Sequence, residues 1–215
     1  MKRLLLTLSA VAILVWLALP AAAHEQGEWI LRAGVGTVDP KSTSYSDPVE
    51  DIAVKIDTGT SLTLTGAYMM TDNWAFEVLA AWPFDHDINL VSGGQKAKAG
   101  ETSHLPPTFS VQYFFDTGGA FQPYAGVGLN WTTFFDTELV PALADAGATL
   151  DLDDSFGVAA QLGADMMLND RWMINVDFRW INIQTDASLF DGATTETIKV
   201  KIDPIVYSVN VGYRF

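Results

Sequence analysis

Residues 172–180 read WMINVDFRW, and every second side chain is large and apolar. In an extended chain successive side chains point to opposite sides. Trp172, Ile174, Val176, Phe178 and Trp180 therefore share one face, and Asn175, Asp177 and Arg179 share the other. The apolar face begins and ends on tryptophan, a residue enriched where membrane meets water. This stretch predicts a strand with one face toward hydrocarbon and the other toward a polar interior.

The same alternation recurs to either side. Tyr207, Val209, Val211, Tyr213 and Phe215 stand opposite Ser208, Asn210, Gly212 and Arg214. Eight strands are expected in all, at 29–38, 60–70, 74–84, 106–115, 123–135, 155–168, 172–183 and 198–215. Short turns fall at Thr71-Asp72-Asn73, at Asp116 to Gln122 and at Asn169-Asp170-Arg171, whereas the other connections run about 14 to 21 residues. An even strand number, with short turns at one end and long loops at the other, predicts an all-β fold: an eight-stranded antiparallel transmembrane β-barrel. Residues from Pro141 to Gly147 are expected to form a short helix inside the third long loop.

Tryptophan placement tests this reading. Trp29, Trp74 and Trp172 begin strands that leave a short-turn end, while Trp82, Trp131 and Trp180 lie near the far ends. The eight-residue steps from Trp74 to Trp82 and from Trp172 to Trp180 span roughly 21 Å along the axis, at ~3.4 Å per residue and ~40° tilt. The apolar band of such barrels is about 25 Å tall. Aromatics packed in a soluble core would not need two levels so spaced.

The chain starts differently. Lys2 and Arg3 precede an apolar run from Leu4 to Leu19, followed by Pro20 and Ala21-Ala22-Ala23. This reads as a secretory signal peptide over residues 1–23, with the barrel over 24–215. A retained anchor is the rival, but the run is short of the ~20 residues that a spanning helix needs. Removing residues 1–23 takes the net charge from −14 to −16.

That charge speaks against nucleic acid as a partner, because phosphate contacts need a basic face. The absence of cysteine excludes disulfides and thiolate metal sites. A lipid-modifying barrel enzyme would need a base near a nucleophile. Only His86 and His104, with Ser92 and Ser103 nearby, are available, and their spacing matches no nucleophile motif. No catalytic residue is assigned. A lipocalin-like carrier also has eight strands, and Gly27-Glu28-Trp29 echoes its opening, but such a chain should finish on a helix.

Several blocks resemble the OmpW family of eight-stranded outer-membrane proteins, which includes the AlkL branch. They are Arg32-Ala33-Gly34 with Val38 and Pro40, YMMTDNWAFEVLAAWPFDHDI from Tyr68 to Ile88, and LPPTFSVQYFF from Leu105 to Phe115. PYAGVGLNW from Pro123 to Trp131, DRWMINVDFRWINI from Asp170 to Ile183 and the ending VGYRF complete the set. The resemblance covers nearly all of residues 24–215. It implies passage of small hydrophobic molecules through a narrow barrel in the bacterial outer membrane, with sideways release into the membrane. The ending is similar to the terminal signal read by barrel assembly machinery.

The inward face divides into two zones. Arg32, Glu77, Asp165, Asp177, Arg179 and Arg214 lie toward the short-turn ends, with Asn175 and Asn210. An eight-stranded lumen is barely wide enough for side chains, so these charges are expected to pair as a plug. Toward the long loops the same phase gives Val38, Leu79, Pro83, Phe134, Ile181, Ile183, Ile202 and Val206. These are expected to line an apolar pocket open to the outside. Space beside them is expected from Gly34, Gly36, Ala81, Gly126, Gly128, Gly157 and Ala159. Pro83, which has no N–H for a ladder bond, is the candidate position for sideways exit.

The third long loop, from Asp136 to Asp154, carries six acidic residues and no Lys or Arg. Asp151, Asp153 and Asp154 could hold a divalent cation that bridges lipopolysaccharide phosphates, but they lack the glycine and ligand spacing of a Ca²⁺ loop, and a solvated loop is the reading preferred. His24, His86 and His104 are scattered, so no metal site is assigned; His86 lies in the family's Phe-x-His-Asp pattern at Phe84 to Asp87. The expected protein is a passive conduit for small hydrophobic ligands that needs no cofactor. Its partners would be outer-membrane lipids, lipopolysaccharide and the assembly machinery. The alternative is a structural or adhesive barrel without a transport role.

Overall fold

The computed structural model describes residues 24–41, 44–47 and 52–215. The expected signal peptide lies outside the described residues. Eight long strands close into an antiparallel barrel: β1 (Trp29–Asp39), β4 (Gly59–Met69), β5 (Trp74–Ala81), β8 (Thr108–Phe114), β9 (Phe121–Leu139), β11 (Ser155–Met167), β12 (Trp172–Ile181) and β15 (Ile205–Arg214). Each pairs with the next, β9 pairs with β11, and β1 pairs with β15 to close the ring. Closure leaves these strands no free edge, which lipid requires because hydrocarbon satisfies no backbone group.

The turns at one end are built by side-chain caps. Thr71 Oγ1 accepts from the Trp74 amide at 3.0 Å, and Asn169 Oδ1 accepts from the Trp172 amide at 2.9 Å. Both are the local side-chain bonds that favour Thr and Asn in turns. Each capped turn delivers a tryptophan onto the outer face. The register sets tyrosine beside it: Trp29 against Tyr68, Trp74 against Tyr113 and Trp172 against Tyr213, each with ring centroids 5.0 Å apart. The six tryptophans expected at two levels are 42% to 73% exposed, so they form girdles and not a core. Between the girdles the surface is apolar, with Leu62, Leu64, Val127, Leu162 and Phe178 all exposed.

The long connections are not loops. β2 (Ser44–Asp47), β3 (Ile52–Ile56), β6 (Phe84–Ser92) and β7 (Gln95–Leu105) build a sheet onto the upper part of β9. β10 (Thr149–Leu152), β13 (Gln184–Phe190) and β14 (Thr195–Lys201) form a second sheet of three strands. The short helix α1 spans Pro141–Ala144.

The expected last strand, 198–215, is thereby corrected, because residues up to Lys201 belong to β14. Pro204 cannot donate to a ladder. Asp203, at φ 36°, turns the chain, and its Oδ1 accepts from Asn182 Nδ2 at 2.8 Å and from the Ile183 amide at 3.2 Å. Trp82-Pro83 and Pro106-Pro107 interrupt their strands in the same way, separating β5 from β6 and β7 from β8. The barrel wall ends at this level, and the two outer sheets continue it as separate flaps.

Candidate functional site

The charged interior is a cross-linked layer. Arg32 on β1 donates from Nε to Asp165 Oδ1 at 3.0 Å and from Nη2 to Asp165 Oδ2 at 2.5 Å. Its Nη1 reaches Glu77 Oε2 at 3.4 Å, and Arg179 Nη2 donates to Glu77 Oε1 at 2.7 Å. Arg179 Nε lies 3.5 Å from Asp177 Oδ1. Asp177 also accepts from Tyr124 Oη at 2.9 Å, and Gln112 Nε2 donates to Glu77 at 2.8 Å. Asn175 donates to both Asp165 and Tyr124, at 2.8 and 3.0 Å, and accepts from Asn210 at 2.8 Å. The Arg32 guanidinium lies 5.5 Å over the Tyr124 ring.

Five of the six expected plug residues meet here. Arg214 does not. It sits at the short-turn rim, where its Nε donates to the Asp170 carbonyl at 2.7 Å and its Nη1 lies 3.4 Å from Glu28 Oε1. The layer therefore sets two guanidiniums against three carboxylates, not three against three. His24, which sequence reasoning left as a scattered terminus, packs edge-on against Phe114, with its Nε2 3.4 Å from Asp165 Oδ2. Below the charges the lumen is apolar again. Ile30, Met69, Phe114, Met167 and Met173 form a buried cluster toward the short turns.

Above the charges lies a second apolar cluster that includes Val38, Phe84, Ile181, Ile183, Ile202 and Val206. It floors a cavity of about 390 Å³ between the two outer sheets. Of the residues named from the sequence, Val38, Phe134, Ile183 and Ile202 line that cavity. Ile181 and Val206 sit in its floor, while Leu79 and Val206 border a residual space of about 10 Å³ in the charged layer. Pro83 is half-buried in the wall and is not among the lining residues.

The remaining lining comes from segments expected to be loops, among them Ile56, Ile88, Leu150 and Leu152, and from Ile198 and Val200, in the stretch expected to begin the last barrel strand. The expected source of space is also corrected. A Cβ on Gly34 would collide with the Val209 carbonyl oxygen, and one on Gly128 would fall 2.5 Å from that of Phe109. These glycines allow close backbone approach and leave no void. The cavity volume comes from the separation of the two sheets.

At Pro83 the wall loses its ladder. The Trp82 amide donates to the Leu62 carbonyl at 2.8 Å beyond the end of the β4–β5 register at Thr63–Ala81, and on the other side of the seam the Asp57 amide donates to the Asp87 carbonyl at 3.0 Å beyond the end of the β3–β6 register at Ile56–Ile88. The two chains stay close across the interval: Phe84 is buried, and an added Cβ on Gly59 would fall 2.7 Å from His86 Cε1 and 2.8 Å from the Asp85 carbonyl oxygen. His86 Nδ1 is 2.6 Å from the Asp57 carbonyl oxygen. Its ring stacks on His104 at 4.9 Å, and His104 stacks in turn on Phe84 at 5.5 Å. Burial lowers the pKa of His86, and burial beside His86 pushes that of His104 down to about 3. Burial thus favours the neutral form of both rings.

Among the described residues, no three His, Asp or Glu side chains converge as a metal-ligand set. Asp151 lies on β10, while Asp154 accepts from Trp131 Nε1 at 3.1 Å.

The geometry agrees with known proteins. The family model described as "OmpW family" matches residues 25–215. Outer membrane protein W of Vibrio cholerae is 43% identical over 214 residues, covering 97% of this chain and 99% of that protein. The crystal structure of OprG from Pseudomonas aeruginosa superposes with a TM-score of 0.83 at 36% identity, over 90% of this chain and 98% of that one. The solid-state NMR structure of AlkL in lipid bilayers gives a TM-score of 0.67 at 25% identity, over 90% and 92% of the two chains. Two exposed tryptophan girdles, a closed ring of eight strands and this agreement across almost the whole length have one reading: the chain belongs to the OmpW family and is a β-barrel of the bacterial outer membrane.

Proposed function

We propose that the protein admits small hydrophobic molecules from outside the cell and releases them sideways into the outer membrane. The observation that carries this reading is the stacking of zones along the axis. An apolar cavity of about 390 Å³ lies directly above a salt-bridged layer that borders a space of about 10 Å³. The cavity falls in the size range of small-ligand sites. A space of that smaller volume is at the lower limit for one water, so an axial path to the short-turn end is blocked for any ligand that fills the cavity. The unladdered seam beside Pro83 supports a route through the wall, because no strand ladder joins β4 to β6 between the end of the β4–β5 register at Thr63–Ala81 and the end of the β3–β6 register at Ile56–Ile88.

A relative from Pseudomonas aeruginosa, 25% identical over 214 residues, is named as a dibenzothiophene metabolism operon protein. That name supports a hydrophobic aromatic compound as one class of cargo. The test is entry of dibenzothiophene or naphthalene into cells that produce this barrel, compared with cells that lack it. Faster entry supports the conduit. Equal entry at a verified level of folded barrel favours a structural or adhesive role.

A further inference from the structure

The inner face of the second flap changes character along its length. The antiparallel register of β13 and β14 opposes Thr185 to Val200, Ala187 to Ile198 and Leu189 to Glu196. All six residues line the cavity. With a period of 2 they share one face of the sheet, and burial falls along it: Val200 is 6% exposed, Ile198 is half-buried and Glu196 is exposed. Val200 therefore belongs to the floor, in one cluster with Ile202 and Val206, and Glu196 stands at the outer rim.

That rim carries one sign of charge. Among the described residues that line the cavity, Glu196 is the one carboxylate, and no Lys or Arg accompanies it. Neighbouring lysines fall on the opposite phase: Lys55 lies between Val54 and Ile56, and Lys199 between Ile198 and Val200. Lys199 instead lies 3.5 Å from Asp186, which is on the other face of the flap. The cross-strand partner of Glu196 is Leu189, and Glu196 makes no ion pair among the described residues. An apolar face thus ends on an uncompensated negative charge at the entrance, where low-dielectric walls focus its field on the opening.

We infer that Glu196 sorts the molecules entering the cavity by charge: apolar amines are favoured over their neutral analogues, and apolar carboxylates are disfavoured. The hydrocarbon part lies against Leu189 and Ile198, and the ammonium group stays at the rim. This rests on the reading that the cavity takes apolar cargo, and it adds a charge preference to that reading. An anion in the same space would either set its carboxylate beside Glu196 or bury it among apolar walls, and both are unfavourable.

The test uses three naphthalenes substituted at the same ring carbon: naphthylmethylamine, a cation; naphthoate, an anion; and methylnaphthalene, which is neutral. Binding is titrated to the full barrel in phosphatidylcholine nanodiscs at low salt, for the parent, Glu196→Gln and Asp186→Asn. Glutamine keeps the shape of the exposed rim side chain and removes its charge. Asp186→Asn removes the same charge from the other face of the same flap. Comparing proteins cancels the partition of each probe into lipid. The amine-to-carboxylate affinity ratio should be about fivefold higher in the parent than in Glu196→Gln, the scale of a screened contact between unit charges. Methylnaphthalene should bind both alike, and Asp186→Asn should keep the parent's ratio. In the parent itself the ratio should fall between about 0.01 M and about 1 M salt, as the Debye length shrinks from about 30 to about 3 Å, a readout that needs no variant to fold. Saturable methylnaphthalene binding with an equal ratio in parent and Glu196→Gln, an equal loss in Asp186→Asn, or a ratio indifferent to salt would overturn the charge filter while leaving the apolar cavity intact. Failure of methylnaphthalene to bind saturably would overturn the cavity reading as well.

Discussion

Arg32 and Asp165 grip one another across the lumen through two hydrogen bonds, of 3.0 and 2.5 Å, although their strands are not neighbours. β1 lies between β15 and β4, and β11 lies between β9 and β12. The pair is therefore a brace across the ring, tying walls that share no ladder. It lies between two apolar clusters, and the low dielectric there strengthens the pair and makes either charge costly alone.

Removing one end of the brace should be severe. Asp165→Ala leaves the buried Arg32 with Glu77, at 3.4 Å, as its remaining carboxylate, and is expected to destabilise the barrel by about 3–5 kcal/mol. Asp177→Ala should cost less, because Arg179 keeps its 2.7 Å bond to Glu77. Urea unfolding in lipid bilayers, followed by the shift between folded and unfolded barrel on gels, ranks the two. Equal losses would mean that the braces act as one unit.

The unequal parts of these two aspartates mark the limit of what the chain discloses by itself. Alternation identified Asp165, Asp177 and Arg179 as inward, because a strand's period is 2 whatever surrounds it. Which carboxylate meets which guanidinium depends on the strands' order and stagger around the ring, and no single segment carries that. Tyr124 and Phe114 were legible in principle, since both continue the inward phase of their strands. Aromatic residues are expected on the lipid face of such a barrel, so their type alone does not mark a place in the lumen. The outer flaps were harder. They hold few apolar residues, as in TETIKVK of β14, and Ile198 and Val200 share the inward phase of the final strand, so that in the sequence Pro204 marks the break between them.

Ion flow is the second expected outcome. The charged layer borders a space of about 10 Å³ and has an apolar cluster on either side. Planar-bilayer recordings should show no sustained open level for the parent. Replacing Arg32 and Asp165 together by alanine removes the brace without stranding a charge, and conductance should rise. An unchanged record from a folded double variant would assign the barrier to the apolar clusters.

Acid should loosen the outer flap. His104 has a pKa of about 3 in the folded protein against 6.5 ordinarily, so below pH 6.5 the opened flap binds a proton that the closed flap refuses. Stability contributed by a neutral His104 is complete above pH 6.5 and is lost as pH falls toward 3, by up to about 1.4 kcal/mol per pH unit. His86, also lowered by burial, acts in the same direction. Hydrogen exchange of β6 and β7 amides, corrected for intrinsic rates, should show protection falling between pH 7 and 5. His104→Phe should flatten this dependence. Constant protection in the parent would mean that the flap opens without exposing the imidazoles.

The last prediction concerns the seam. The Trp82 amide donates to the Leu62 carbonyl just before a stretch in which no strand ladder joins the chain around Gly59 to the chain around Phe84. Proline at 83 helps keep that stretch unbonded, since it offers no N–H and restricts its neighbour. Pro83→Val supplies a donor and a residue that favours strand, so the ladder should extend past Leu62 and part less readily. Entry of naphthalene should then slow severalfold, while the amount of heat-shiftable barrel stays the same and its thermal stability holds or rises. Hydrogen exchange at position 83 gives the structural half of the result, because protection of the newly introduced amide reports the new bond directly. Protection at that amide with unaltered uptake would place the exit at another part of the wall, whereas slowed uptake with an unprotected amide would trace the effect to the shape of the proline ring and not to the missing bond.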